Sequence, residues 1–346
     1  MENINKQRVE YIDIAKFIGI FLLFVEHTGN WIELTGGGYG FLKSVICSFH
    51  MPLFFIIYGI VVKNKHLKGN GEWSDFFTKQ LRALIVPYIL WALIYSSNLG
   101  IKFFIGVMYG SNPSLSYAGT NAVLWFLPVM FICTVLYQLV LNIVEKNNKI
   151  LTGGVLLLFL FFAKIGSYVK GINGMRLPWG IDIVFVGTVF MVLGNLVVKK
   201  VLSYLLNSCY RRTLTGIMTV ILICGALGGV LNVSSKKYEV TVMAVGEYGK
   251  SILLFVMVSI ALSVSVLILS SLLRGKLLVY LGRHSLVMMA VHYILFPCTV
   301  YLAKKILLFQ SILTIAVAVI NALLVTAICI PICYLVDEFC PCLNGK

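Results

Sequence analysis

An all-α, polytopic bundle of about ten membrane-spanning helices is the fold class that this sequence predicts, and three observations predict it. Of 346 residues, 60% are hydrophobic and only 12% charged, with a mean hydropathy of +0.95, far from the balance of a water-soluble domain. Apolar runs of about 20 residues, long enough to cross a hydrocarbon core as a helix, recur along the chain. The alternating pattern of membrane barrel strands is missing, and a helix bundle satisfies every backbone group within its own segments.

Taken in order, the runs read as spans at Ile12 to Leu34, Val45 to Val62, Leu81 to Ile105, Asn121 to Val144 and Ile150 to Tyr168, followed by Gly180 to Val198, Leu214 to Asn232, Ser251 to Leu273, Leu277 to Ala303 and Ser311 to Val336. The first is too long for the apolar region of a signal peptide, carries Asp13, Lys16, Glu26 and His27, and lacks a small-residue cleavage site, so it is expected to be retained. No internal repeat, low-complexity tract or linker divides residues 1–346, which read as one domain.

Lys and Arg alternate in abundance from one end of a span to the next. Lys6, Arg8 and Lys16, then Lys63, Lys65, Lys68, Lys79 and Arg82, then Lys146 and Lys149, then Lys199, Lys200, Arg211 and Arg212, then Arg274, Lys276 and Arg283 fall on one side. Cytoplasmic flanks are enriched in these residues, so both termini are expected in the cytoplasm. The net charge of +15 is then mostly topological bias with contact to anionic lipids, not a nucleic-acid surface. The nine cysteines sit mostly inside spans as small apolar residues. Cys340 and Cys342 in the tail lack the further ligands that a metal site needs, and no metal is expected.

Ionisable groups inside spans are costly and mark functional candidates. Asp13 and Lys16, three apart, share a helix face, and His27 follows Lys16 by eleven residues, about three turns, on that same face. At about 1.5 Å per residue, His27 lies roughly 16 Å deeper than a Lys16 at the cytoplasmic mouth, the reach of an extended cofactor arm. One reading gives Lys16 a phosphate and His27 a proton to remove. The other has Lys16 snorkel to the interface and His27 bond a neighbouring helix. Glu26, next in sequence to His27, points about 100° away around the helix, which argues against it as a simple orienter of that ring and for a partner on another span.

Depth counting brings two more histidines near His27: His50, expected near the outer end of the second span, and His292, about fifteen residues into the ninth. Both have a plainer reading as interfacial or interhelical hydrogen-bonders. Lys79 and Arg82 are placed either to hold phosphate or to anchor the third span. Trp125, at the opening of the fourth, reads as part of an interfacial aromatic belt. Arg176, Asp182 and Glu247 either line an acceptor cleft or are solvated loop charges. Gly282-Arg283-His284-Ser285 forms a cytoplasmic turn that starts a helix, with Arg283 possible as another anchor.

At these residues the sequence resembles the membrane acyltransferase-3 family, and most of all its fucose 4-O-acetylase and related saccharide O-acetylase branch. The resemblance runs from Tyr11-Ile12-Asp13-Ile14-Ala15-Lys16 through His27, then Phe49-His50-Met51-Pro52-Leu53-Phe54-Phe55 with Gly59, then Arg82 before Pro87-Tyr88. It continues with Leu124-Trp125-Phe126-Leu127-Pro128, Leu177-Pro178, Gly194, and Leu281-Gly282-Arg283-His284-Ser285-Leu286 followed by His292. Lys16 stands where the family typically has Arg, Tyr58 where a small Ser is common before Gly59, and Glu26 where a small residue often precedes the His. The resemblance implies transfer of an acetyl or other short acyl group from cytoplasmic acyl-CoA to a hydroxyl of a cell-envelope polysaccharide or lipid-linked glycan, in the plasma (inner) membrane of a bacterium. It implies His27 as catalytic base and Lys16, Asp13, Lys79 and Arg82 on the cofactor side, with Glu26, His50, Trp125, Arg283, Ser285 and His292 supporting the substrate or the site.

A transporter or flippase of a polar solute or lipid-linked sugar is the rival reading, since carriers also hold ionisable groups inside broken helices. The lack of inverted repeats weighs against it. A non-catalytic sensor or assembly partner leaves the shared face of Lys16 and His27 without a use.

Overall fold

The computed structural model describes residues 2–32, 37–62, 66–96, 98–143, 148–169, 176–233, 240–306 and 314–346. The expected span limits at Leu34, Val144 and Ser311, and the basic residues Lys63, Lys65 and Lys146, lie outside these. The helices in chain order are α1 (Glu2–Trp31), α2 (Gly37–Cys47), α3 (His50–Val61), α4 (Asn70–Gln80), α5 (Val86–Tyr95), α6 (Ile101–Tyr109), α7 (Asn112–Tyr117), α8 (Phe126–Ile143), α9 (Lys149–Gly166), α10 (Ile181–Leu193), α11 (Lys199–Ser208), α12 (Arg211–Leu231), α13 (Ile252–Leu272), α14 (Lys276–Arg283), α15 (Ser285–Ile306) and α16 (Thr314–Phe339). This is an all-α polytopic membrane protein. Among the described residues eight helical stretches are long and apolar enough to cross a membrane, at Gly38–Val61, Asn70–Tyr95, Ala122–Ile143, Pro178–Ser208, Arg211–Leu231, Ile252–Leu272, Ser285–Lys305 and Ile315–Phe339. The first and fifth expected spans correspond to α1, with charges along its length, and α9, whose apolar part Ile150–Gly166 is shorter.

The third and ninth expected spans are cut differently. The third was expected to begin at Leu81, but the helix starts at Asn70, passes through a π-helical turn at Leu81–Ile85 and ends at Tyr95, with α6 a separate helix. Polar Glu72, Asp75 and Lys79 hide the first turns of this helix from a hydropathy reading. Pro87 lacks the N–H that would bond Ala83, and the π turn sits just before it, with the Val86 N–H reaching back to Leu81. The ninth span is likewise two helices, α14 and α15, separated at His284, whose backbone (φ −104°, ψ 18°) leaves the helical region.

The chain divides into two compact units, Met1–Ile57 with Val197–Val242 and Tyr248–Asp337, and Tyr58–Leu196 with Met243–Glu247 and Glu338–Lys346. In the first, α1 packs on α2, α13, α14 and α15, while α12 lies along α13. Small residues set the closest approaches: a Cβ on Gly225 would come 2.8 Å from the Leu262 side chain and one on Gly228 2.8 Å from Val258, the backbone proximity that helices use where lipid replaces water. A Cβ on Gly282 would meet the Asp13 carbonyl oxygen at 1.8 Å, so only glycine lets α14 lie this close to α1.

Pro52 shapes the second hydrophobic stretch. It cannot bond the Ser48 carbonyl four residues back, and the chain breaks between α2 and α3, where Ser48 and Phe49 bond only three residues back. Ser259 Oγ on α13 donates to the freed Ser48 carbonyl at 2.6 Å. His50 thus opens α3 in the middle of a 24-residue apolar stretch, Gly38–Val61, and not near the end of a span as expected.

In the second unit α10 packs on α8 and α9. Arg176 and Asp182 form a buried ion pair at the head of α10, the Asp182 side chain 0% exposed, and Gly166 leaves room for it. The expectation of solvated loop charges does not hold for these two, because a charge taken from water persists only when paired and bonded. Glu247 is half-buried. Trp125 is buried in this unit as the last residue of a 3₁₀ turn and so is not an interfacial belt residue.

Candidate functional site

One face of α1 carries two clusters. At the first, the Lys16 ammonium lies 3.1 Å from Asp13 Oδ1, and Arg283 Nε, from the last turn of α14, lies 3.1 Å from Asp13 Oδ2. A single carboxylate therefore spans two cations from two helices. The Asp13 side chain is 7% exposed and those of Lys16 and Arg283 are 30% and 58% exposed, so the cations open outward while the carboxylate is closed in. Both cations are exposed enough, at 30% and 58% of the side chain, for an anion to reach them. Beside this cluster, Ser285 begins α15, and His284 is buried with Nε2 2.7 Å from Asp337 Oδ2 and Nδ1 2.7 Å from the Tyr280 carbonyl.

The second cluster surrounds His27. Its Nδ1 lies 2.9 Å from His292 Nε2 on α15, and His292 Nδ1 lies 2.6 Å from the Met289 carbonyl. The His27 Nε2 is 3.3 Å from Glu26 Oε2. The expectation that Glu26 points away from His27 is overturned: its side chain is long enough to bend back along the helix, and Asn30 one turn on donates to Oε1 at 2.6 Å, holding the carboxyl there. The Cys47 thiol of α2 stands near this carboxyl. Tyr39 donates to the Glu26 backbone carbonyl at 2.8 Å, a contact that exists because Gly29 has no Cβ to collide with the phenol.

Aromatic rings pack around His27, with Tyr293 5.3 Å and His292 5.1 Å from its ring centre, and Trp31 against Tyr293. His50 turns its Nδ1 onto the Ile46 carbonyl at 2.9 Å and stands, with Lys43, within electrostatic reach of His27. Of the directly bonded ring pair, His27 keeps a 16% exposed side chain, whereas His292 is 0% exposed. His27 is the ring that an entering molecule can touch.

The structure thus brings together Glu26, His27, His50 and His292 in one cluster, and Asp13, Lys16 and Arg283 in the other, all in the first unit, with Ser285 at the start of the helix that follows Arg283. Trp125 belongs to the second unit, as do Lys79 and Arg82, which are exposed and lie within the long helix instead of at its start. Arg82 occupies the π turn, a distortion often found at functional positions. Sequence reasoning missed Lys43, Cys47, Tyr293 and the pairing of His284 with Asp337. Tyr293 directly follows His292, but the others had no signal in spacing. Among the described residues no three His, Cys, Asp or Glu side chains are grouped as the ligands of a metal would be.

The acyltransferase-3 family, described as an acyltransferase domain, matches residues 9–336. No curated protein and no solved structure matches the chain. With nearly its whole length matched, the chain belongs to this family of membrane acyltransferases.

Proposed function

We propose that this acyltransferase moves an acetyl or other short acyl group from acyl-CoA to a hydroxyl of a cell-envelope saccharide or lipid-linked glycan, in the manner of the saccharide O-acetylase branch. The observation that carries the reading is the pairing on one helix of an outward-opening cationic cluster with a partly accessible histidine about 16 Å further along. Lys16 and Arg283, aligned by Asp13, hold phosphate groups of the donor. The pantetheine arm then brings the thioester toward His27.

A sugar hydroxyl is a weak nucleophile at neutral pH, while the thioester is already activated, so the protein's task is to take the proton during attack. The hydroxyl oxygen bonds to the thioester carbonyl carbon as its proton passes to His27. The tetrahedral adduct collapses with cleavage of the carbon–sulfur bond, and His27 returns the proton to the departing thiolate, giving an ester, free CoA thiol and a neutral imidazole. Glu26, 3.3 Å from His27 Nε2, offsets the positive charge that the ring carries between these steps.

In the same proposal α1 and α9 also cross the membrane, giving ten spans in the plasma membrane of a bacterium with both termini cytoplasmic. The purified protein in detergent or nanodiscs should release CoA from radiolabelled acetyl-CoA and place the label on envelope glycans. Uptake of a glycan into proteoliposomes without label transfer would instead favour a carrier. A reporter fused after Lys346 should read as cytoplasmic, and an external reading would remove Lys16 from the donor side.

A further inference from the structure

We infer that His292 is a positioning residue that fixes the tautomer of His27, so that only Nε2 of His27 is available to take the substrate proton. This rests on the acyl-transfer reading above and adds which nitrogen acts and what selects it.

The argument follows from donor and acceptor types. A backbone carbonyl can only accept, so the 2.6 Å contact of His292 Nδ1 with the Met289 oxygen puts a proton on Nδ1. Nε2 of a neutral ring protonated at Nδ1 is an acceptor. His27 Nδ1, 2.9 Å from that acceptor, must therefore be the donor. A neutral His27 with its proton on Nδ1 carries its lone pair on Nε2. The Met289 carbonyl thus sets one ring, and that ring sets the next.

The surroundings suit this division. His292 is completely buried, with Phe24 and Phe296 each 5.2 Å from its ring centre, so it stays in register and does not meet substrate. The groups facing His27 from the neighbouring elements are Glu26 on its own helix, Lys43 from α2, His50 from α3, and His292 and Tyr293 from α15. Glu26 Oε2, 3.3 Å from that Nε2, has no proton to give as a carboxylate and so leaves the lone pair unprotonated, and it becomes the ring's counter-ion once Nε2 has taken the proton. The arrangement repeats the logic in which a buried acceptor holds a catalytic imidazole in the productive tautomer, with a neutral imidazole as the acceptor in place of a carboxylate.

Two substitutions that differ in where they place an oxygen test this. His292→Gln keeps an acceptor near the former Nε2 position, whereas His292→Asn places its amide near the former Nδ1 position and leaves the His27 Nδ1–H without a partner. We expect His292→Asn to lower kcat by about 10²-fold, within the range of general-base effects, with KM for acetyl-CoA unchanged, and His292→Gln to stay within about tenfold of the native rate. Equal activity of His292→Asn and the native protein, or an equal loss in both variants, would overturn the assignment, the second because it describes a merely structural ring. A His27→Ala variant assayed alongside separates the two levels: if it retains full activity, the base reading itself fails, whereas an inactive His27→Ala beside a fully active His292→Asn removes only the tautomer role.

Discussion

At the Lys16 end of α1 two partly exposed cations share one buried carboxylate, and the Arg283 partner comes from the short helix α14. At the His27 end the groups are buried or nearly so, and each nitrogen faces one named atom: His292 Nε2 at 2.9 Å and Glu26 Oε2 at 3.3 Å. The contrast matches two kinds of work. Holding phosphate needs positive charge that water and ligand can reach, and tolerates several geometries. Moving one proton needs a single orientation of one ring, which only packing and fixed hydrogen bonds supply.

The comparison is broken most readily at the His27 end. His27→Ala should lower turnover by about 10²- to 10⁴-fold while leaving acyl-CoA binding and detergent-resistant folding intact; near-native turnover in a well-folded variant would end the division of labour drawn between the two clusters. His27→Gln should not recover the rate, because an amide bonds a hydroxyl without taking its proton.

Effects at the other end should be smaller and sensitive to salt. Lys16→Ala should weaken acyl-CoA binding by about tenfold, since a bond to a charged group contributes on the order of 1.5 kcal/mol and about 1.4 kcal/mol is tenfold. Arg283, with a 58% exposed side chain, is well screened, and Arg283→Ala should cost only about two- to threefold. Both losses should shrink as ionic strength rises, whereas the His27→Ala loss should not. Calorimetric titration of acetyl-CoA at two salt concentrations checks this, and a salt-independent Lys16→Ala loss would argue for a structural role of that lysine.

The glycine at position 282 shows how local residues carry this site without touching chemistry. With the Asp13 carbonyl 1.8 Å from where its Cβ would stand, any side chain there pushes α14 away from α1 and takes Arg283 from Asp13. Gly29 acts in the same way at the other cluster, where its lack of a side chain admits the Tyr39 phenol. Both ends of α1 are thus held by close backbone approach as well as by charge.

What the sequence determined by itself was the solvent and the helix. Long apolar runs permit only self-satisfied helices, and a period of 3.6 residues puts Asp13, Lys16 and His27 on one face whatever surrounds them. Helix limits blurred where polar residues lie inside a long helix, as at Glu72, Asp75 and Lys79, or where a helix ends without a loop, as at His284. Only tertiary structure decided which side chains from distant segments meet. His292 is 265 positions from His27, and spacing along a chain says nothing about contacts made across packed helices. Nor could the sequence decide the direction of a long side chain: Glu26 and His27 differ by about 100° around the axis, yet Asn30 holds the carboxyl beside the ring. Depth along a helix is set by residue count, but contact is set by packing, and the proposed chemistry depends on both.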